Sequence, residues 1–498
     1  MEYSNTNICA LATPQGTGAI GIIRLSGKDT IDIVDSVFVP VFKENKPTPI
    51  KLKVTPAYKM RFGSIFKNEA LLDEVLVTVF RAPHSYTGEN AVEIYCHGSN
   101  YIINEILKLL LSKGIKMAEP GEFSKRAFLN GKLDLAQAEA VADLISSETL
   151  ASHRVAIQQM KGGFSTELKD MRSALLNLVS LMELELDFSE EDVEFADRTQ
   201  LFKLLNEVSG KVEKLIESFS LGNVIKNGVT VAIIGATNTG KSTLLNILLG
   251  EEKAIVSNIH GTTRDVIEDT INFGGIVFRF IDTAGIRDTK ETIEIIGIER
   301  TYLKLKQASV VIMVLDATRP EYFDDSLINL SNRLNKNKQK LVILLNKADI
   351  LTQNINDFNV CVSNKKDGIS NKNNSFNAQI HSIEALCKQT GLSPIATLPV
   401  SAKLGLGIDV LKDLLINSQK ELNIEPNVTL VTNIRHYQAL LDAQDALDRV
   451  EDGLKQQIPT DLVTQDIREA LYHLGSIVGE INTEEILGNI FGKFCIGK

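Results

Sequence analysis

The apolar positions change their period three times along the chain. Over residues 1–120, runs such as 19–25 and 75–80 are apolar and β-branched, and 101–111 carry a helical spacing. Glycine and proline punctuate these runs, which predicts an α+β domain over 1–120. From Pro120-Gly121 to about residue 220, strand signals vanish and apolar residues recur at three and four. Within 133–145, the set Leu133, Ala136, Ala140, Val141 and Leu144 fits one helix face. Gly162-Gly163 and the stretch 187–192 read as breaks between long helices. Residues 229–403 alternate strand and helix. Their runs 229–234, 277–281, 310–315 and 341–345 are continuously apolar, as suits strands buried on both faces of a mainly parallel sheet. Residues 353–379, rich in Asn, Ser and Lys, read as a loop insertion. After about residue 427 the pattern is helical to the end.

The economical topology is one helical domain, built from residues 121–222 and 423–498 and interrupted by an α/β domain at 223–422. The expected fold class is therefore multidomain, α/β and α: an N-terminal α+β domain, then a helical domain interrupted by a Ras-like α/β P-loop domain. No internal repeat at a solenoid period is present.

Length agrees with this division, since 498 residues correspond to about three domains. The chain is 44% hydrophobic and 23% charged, an ordinary globular mix. A net charge of -10 argues against a generally basic, nucleic-acid-coating protein, but it leaves room for a local basic groove or for RNA contact through a partner. Cys9, Cys96, Cys361, Cys387 and Cys495 fit neither a zinc site nor a disulfide framework. Free thiols suit a reducing compartment. No run of 18 apolar residues marks a membrane span, and Met1 to Thr6 lack the layout of a secretory signal. The expectation is a cytoplasmic protein.

The chemistry begins at Gly235-Ala-Thr-Asn-Thr-Gly240-Lys241-Ser242, which matches the phosphate-binding loop G-x4-G-K-[ST]. A predicted strand precedes it and a predicted helix follows, so backbone N–H groups and a helix N-terminus both face the phosphates. Lys241 is expected to reach the β- and γ-phosphates of GTP, and the Ser242 hydroxyl to bind Mg²⁺. In Gly261-Thr262-Thr263-Arg264-Asp265, a Thr hydroxyl can join Mg²⁺ when γ-phosphate is present. Asp282-Thr283-Ala284-Gly285 follows a strand; Asp282 can hold Mg²⁺ through water, and the Gly285 N–H can sense the γ-phosphate. Asn346-Lys347-Ala348-Asp349 ends another strand. Asp349 only accepts hydrogen bonds, so it favours guanine, which offers N1–H and a 2-amino group. Ser401-Ala402-Lys403 fits the final guanine-contacting loop. Each string alone is weak; their order, each at a strand end, singles out a guanine-nucleotide site. Asn238, Thr239, Gly240 and Thr243 complete the expected GTP-binding set.

Ras-type enzymes orient the attacking water with a Gln just after D-x-x-G. Here that position is Ile286, which cannot do so. The acidic residue nearby is Glu294, which on the residues alone reads as a solvated helix position.

Further strings carry a resemblance over essentially the whole length. They are Ala12-Thr13-Pro14 with residues 21–26, Ser85-Tyr86-Thr87-Gly88-Glu89, the stretch from Pro120 to Asn130, the stretch from Lys132 to Ala140, and the terminal Phe494-Cys495-Ile496-Gly497-Lys498. The chain resembles the MnmE/TrmE family of tRNA-modifying GTPases. The resemblance implies modification of carbon 5 of the wobble uridine in certain tRNAs, giving carboxymethylaminomethyl or aminomethyl side chains. It implies a homodimer that works in a heterotetramer or larger complex with an FAD-containing partner, MnmG/GidA. A 5-formyl- or methylene-tetrahydrofolate would carry the one-carbon unit on the N-terminal domain, which would also dimerise. Matched motif by motif, Arg24, Glu89, Lys132 and Lys498 would line the folate site. G domains of this family are implied to dimerise across the nucleotide with K⁺, which supplies the positive charge an arginine finger gives elsewhere, an effect of roughly 10³–10⁵ in rate there. Asn238, Ser257, Ile259 through its carbonyl, and Thr262 match the K⁺ site. Thr263 with Ser242 matches the Mg²⁺ site, and Glu294 matches the water-orienting Glu. Two departures stand out: Thr237 replaces a usual Pro, which frees a φ angle, and 353–379 is longer than usual.

Cys495 reads either as a nucleophile or as a tail residue that shapes the site; no His–Cys arrangement favours the first. His97, His153 and His436 stand alone in the sequence and read as structural or solvated, and the acidic stretch 183–194 as a solvated helix end. A regulatory switch, such as a ribosome-assembly GTPase, would share the G motifs without needing the folate-domain strings. A scaffold using GTP only to gate dimer shape is the third reading.

Overall fold

In the N-terminal sheet the two longest strands largely bury one face and leave the other open, whereas the first strand, Ile8–Leu11, is buried on both faces. The structure, a computed structural model, describes residues 6–41, 51–67, 69–187, 198–250, 269–281, 305–336, 339–351, 375–419, 428–481, 484–492, 494 and 497. Seven strands form the first sheet: β1 (Ile8–Leu11), β2 (Ile20–Ser26), β3 (Phe38–Pro40), β4 (Lys59–Lys67), β5 (Ala70–Phe80), β6 (Ala91–His97) and β7 (Lys116–Met117). Their order is β3-β4-β5-β6-β2-β1-β7, antiparallel except for β1 with β7. On β5, Val75, Val77 and Val79 are buried, and helix Asn100–Ser112 covers that side with Ile103, Ile106 and Leu110. Gly21 permits this close approach, because a Cβ there would lie 2.8 Å from Ile103 Cδ1. The opposite side of β4 and β5 exposes Met60, Phe62 and Leu76, with Phe62 directly across from Leu76.

Beyond β7, every described element up to Asn227 is a helix: Glu122–Leu129, Leu135–Ser146, Leu150–Met160, Gly163–Asp187 and Arg198–Asn227. The second helix starts later than the apolar spacing predicts. Asp134 accepts from the Gln137 N–H at 2.9 Å while Gln137 Oε1 accepts from the Asp134 N–H at 3.0 Å, a reciprocal cap that fixes the start at Leu135. Leu133 therefore lies outside the helix, and the buried positions are Leu135, Ala136, Ala138, Glu139 and Ala140, with Val141 and Leu144 half-buried. Helices Ile434–Lys455, Thr460–Val478 and Glu484–Phe491 follow near the end of the chain.

His436 and His97 do not stand alone. In the helical part, Glu139 accepts from His436 Nε2 at 2.6 Å and from Arg435 Nε and Nη2 at 3.1 and 3.0 Å. Arg435 also donates to the Ser476 and Ile477 carbonyls, at the end of helix Thr460–Val478. Burial pushes the Glu139 carboxyl up, but His436 and Arg435 outweigh it and hold it down at about 2. In the sheet, His97 pairs with Asp73 at 2.6 Å. The residues of both pairs are far apart in sequence, so no local pattern marks them.

The second sheet has six strands: β8 (Val229–Ile234), β9 (Asp269–Phe273), β10 (Ile276–Ile281), β11 (Val310–Asp316), β12 (Lys340–Asn346) and β13 (Pro394–Pro399). The order is β13-β12-β11-β8-β10-β9, parallel except for the antiparallel β9–β10 pair. Alternate residues enter two separate cores. Val231, Ile233, Ile312 and Val314 join one, while Ala232, Ile234, Val311, Met313 and Leu315 join the other. Burial on both faces is why these strands read as unbroken apolar runs. Helix Ser375–Thr390 begins inside the stretch read as a loop insertion, so the end of that stretch, 375–379, is helical.

The chain divides into two compact units. One comprises residues 1–146, 155–216 and 435–498, and the other 147–154 with 217–434. Among the described residues, no helix is long and apolar enough to cross a membrane.

Candidate functional sites

The first site forms where β8, β11 and β12 end together, because parallel strands in register deliver their carboxyl ends to one edge. The loop after β8 is shaped by its glycines. Gly235 has φ +151°, and a Cβ there would meet the Val314 carbonyl oxygen at 2.3 Å; Gly240 has φ +96°, and a Cβ there would lie 2.1 Å from Asn346 Nδ2. Asn238 also holds a positive φ of 61°. The Thr239 hydroxyl donates to the Ala236 carbonyl at 2.9 Å, which tightens the turn. Lys241 opens helix Lys241–Gly250, which is anchored by buried Leu244, Leu245, Leu248 and Leu249. Its Nζ curls back over the loop and donates to the Gly235 and Ala236 carbonyls at 2.9 and 2.7 Å. Burial lowers its pKa, since the charged form loses water. Ser242 is half-buried and Thr243 exposed in the first turn.

Asn346, at the end of β12 and 3% exposed, ties three segments together. Its Nδ2 donates to the Thr239 carbonyl at 2.7 Å, and its Oδ1 accepts from the Ala402 N–H at 2.9 Å. The phosphate-binding loop, the Asn346–Asp349 string and the Ser401–Lys403 loop thus share one side chain. Lys347 has a positive φ of 63° and pairs with Asp316 at 2.7 Å. Burial pushes the Asp316 carboxyl up, but Lys347 and Thr318 more than offset this and hold it below its ordinary value. Asp349 is half-buried in the single turn Ala348–Ile350, and the Ala348 N–H is bound by the Val400 carbonyl at 3.1 Å. Ser401 and Ala402 are buried, and Lys403 is exposed. The cradle a Cβ would fill and the loop-locking Asn346 fit a nucleotide. Ser257, Ile259, Thr262, Thr263, Asp282, Thr283, Ala284, Gly285 and Glu294 lie outside the described residues.

The second site lies on the N-terminal sheet. Arg24 on β2 stands opposite Glu93 on β6, and its Nε and Nη2 donate to Glu93 Oε1 at 3.0 and 2.9 Å. Tyr95 donates to Glu93 Oε2 at 2.7 Å. The Arg24 guanidinium lies 5.8 Å from the Tyr86 ring and 5.9 Å from the Phe123 ring, both within cation–π range. Tyr86 meets Ser124 at 2.9 Å; burial raises its pKa, which keeps the phenol neutral. Two residues along β2, Ser26 donates to Glu89 at 2.7 Å. Glu89 is also held by Arg126. The Lys132 stem packs over Gly88, its Cγ 3.3 Å from where a Cβ would stand, and its Nζ donates to the Pro83 carbonyl at 3.1 Å. Arg24 Nη1 reaches the Gly497 carbonyl at 3.4 Å, so the chain end joins the site. Lys498 and Cys495 lie outside the described residues.

Three of the four predicted folate residues, Arg24, Glu89 and Lys132, thus lie around one loop and one strand. Sequence reading passed over Glu93, Phe123 and Arg126. For Glu93 the available signal was a charged residue inside an otherwise apolar strand, Val92-Glu93-Ile94 facing Ile23-Arg24-Leu25; Phe123 and Arg126, on helix Glu122–Leu129, carry no such signal.

A mainly parallel sheet with this phosphate-binding loop after its central strand, and with the Asn346 and Ser401 loops locked beside it, defines a P-loop GTPase. The pattern described as the GTP-binding protein TrmE N-terminus matches residues 7–132, and the MnmE helical domain matches 135–495. The tRNA modification GTPase MnmE of Bacteroides thetaiotaomicron is 49% identical over 498 residues, covering 99% of each chain. Those of Bacteroides fragilis and Flavobacterium johnsoniae are each 49% identical, again across 99% of both chains. The chain belongs to the MnmE family of tRNA modification GTPases.

Proposed function

We propose that this GTPase uses a K⁺-dependent cycle to drive modification of carbon 5 of the wobble uridine in certain tRNAs. It does so as a homodimer in complex with the FAD-containing partner MnmG/GidA, with a tetrahydrofolate supplying the one-carbon unit. The observation that carries the GTP part is Asn346, which binds the phosphate loop and the guanine loop with one buried side chain. Asp349 accepts the guanine N–H donors, Lys403 flanks the base, and Lys241 leaves the Gly235 and Ala236 carbonyls for the phosphates. Ser242, Thr263 and, through water, Asp282 would hold Mg²⁺. Asn238, Ser257, Ile259 and Thr262 would hold K⁺, which supplies positive charge to the developing transition state. Glu294 orients the attacking water, the task that Ile286 cannot perform.

The cluster around Arg24 supports the folate part. A stacked guanidinium, two aromatic rings and the fixed carboxylate of Glu89 suit a flat heteroaromatic ring with N–H donors. Lys132 and Lys498 suit the carboxylate tail of a 5-formyl- or methylene-tetrahydrofolate. The exposed apolar face of Met60, Phe62 and Leu76 supports dimerisation through the N-terminal domain, because it leaves apolar area to be covered by a second copy. Buried Cys9, Cys96 and Cys387 are free thiols, which supports a cytoplasmic setting.

Mass spectrometry of tRNA from a deletion strain tests this reading. Loss of the wobble-uridine side chain is expected, and retention would refute it. Turnover of GTP is expected to be fast in K⁺ and slow in Na⁺; equal rates would count against Asn238 as a K⁺ ligand. Full modification by a hydrolysis-dead Glu294→Ala protein would favour the scaffold reading instead.

A further inference from the structure

The site around Arg24 contains a second arginine that no ligand can use. Arg126 sits on helix Glu122–Leu129 and is 2% exposed. A guanidinium has five N–H donors, and here all of them meet protein acceptors. Nε and Nη2 donate to Glu122 Oε1 at 3.3 and 2.8 Å, and Nη2 also donates to Thr6 Oγ1 at 2.8 Å. Nη1 donates to the Thr6 carbonyl at 2.7 Å and to the two Glu89 oxygens at 3.1 and 3.3 Å.

The two carboxylates differ in what they have left to offer. Glu122 keeps 10% of its side chain exposed, and its Oε2 is taken by the Glu119 N–H at 2.8 Å. Glu89 keeps 18% of its side chain exposed. Its Oε2 accepts from Ser26 and Arg126, while among the described residues Oε1 takes only the longer Arg126 contact at 3.3 Å. One positive charge is therefore shared between two negative ones. Glu122 draws the guanidinium to its own side, and Glu89 keeps both a fixed orientation and acceptor capacity on its open edge.

We infer that Arg126 is a positioning residue for ligand binding. It aims the Glu89 carboxylate at the N–H donors of the bound ring and does not touch the ligand. This rests on the reading that a tetrahydrofolate occupies the site. A lysine has one point charge and no planar fork, so it cannot span Thr6, Glu89 and Glu122 together.

The test is calorimetric titration of the full-length protein with 5-formyltetrahydrofolate, comparing wild type, Arg126→Lys, Glu89→Gln and the double variant. Arg126→Lys is expected to bind at least tenfold more weakly. Because Arg126 acts through Glu89, the double variant is expected to bind within threefold of Glu89→Gln alone. A generally structural role would instead add the two losses, and that result would overturn the inference, as would binding within twofold of wild type by Arg126→Lys. Should Arg126→Lys lose its helical circular dichroism, Glu122→Gln gives the same test. It removes the negative charge that competes with Glu89 for Arg126, which draws the guanidinium more strongly onto Glu89, and is expected to weaken binding at least threefold; unchanged affinity would overturn the inference. A wild-type protein that binds GTP but not 5-formyltetrahydrofolate would sink the folate reading itself.

Discussion

Removing the Glu139 carboxylate is expected to loosen the helical part of the chain by about 3 kcal/mol. Glu139 is 7% exposed and is bound by His436 at 2.6 Å and by Arg435 at 3.1 and 3.0 Å. The carboxyl is held at about 2 against an ordinary 4.5, a difference equivalent to about 3 kcal/mol of preference for the charged form in the folded state. Breaking a buried ion pair by deleting one partner typically costs about 3–5 kcal/mol, because the other charge stays buried without compensation. The sign follows from the depressed folded value. The stabilisation is fully present above the unfolded pKa of about 4.5 and is lost as pH falls toward about 2.

Unfolding of a chain with two compact units is not two-state, so the assay must be local. Amide hydrogen exchange at pH 7 is expected to speed up by about 10² in helices Leu135–Ser146 and Ile434–Lys455 of Glu139→Ala. Glu139→Gln, which keeps the shape and one acceptor, is expected to show a smaller change of the same sign. Strand β11, in the other compact unit, serves as the internal reference. Protection of both helices within about 0.5 kcal/mol of wild type, a surface-like effect, would refute the argument that this cluster holds the helices together.

Asn346→Ala leaves the Thr239 carbonyl and the Ala402 N–H without their partner, at about 1–3 kcal/mol each. Displacement of a fluorescent GDP should show at least tenfold weaker binding, and unchanged affinity would show that the three loops are set by other contacts. Asp349→Asn exchanges a charged acceptor worth about 1.5–3 kcal/mol for a neutral one. Guanine preference over inosine should fall markedly in competition assays, and an intact preference would rule out that role. Gly497 has φ +94°, and a Cβ there would meet the Leu11 carbonyl oxygen at 2.4 Å. Gly497→Ala is thus expected to lift the chain end from Arg24 and weaken 5-formyltetrahydrofolate binding at least threefold, read by the same titration; equal affinity would remove the terminal carbonyl from the site.

What the sequence by itself determined is whatever depends on neighbours along the chain. The unbroken apolar runs marked β8, β11 and β12 because strands buried on both faces need no polar side. The phosphate-binding loop was legible because its glycines, strand and helix all lie within a short stretch. Even locally, a polar cap could override an apolar pattern, as Asp134 and Gln137 do by starting a helix at Leu135. Only the tertiary structure decided which charges meet. Arg24 faces Glu93 through strand register, Arg126 is shared between Glu89 and Glu122, and Arg435 with His436 closes on Glu139 from the far end of the chain. Such pairs leave no periodic trace, because a buried charge is fixed by the partner that compensates its lost hydration, and that partner is chosen by the fold and not by spacing in sequence.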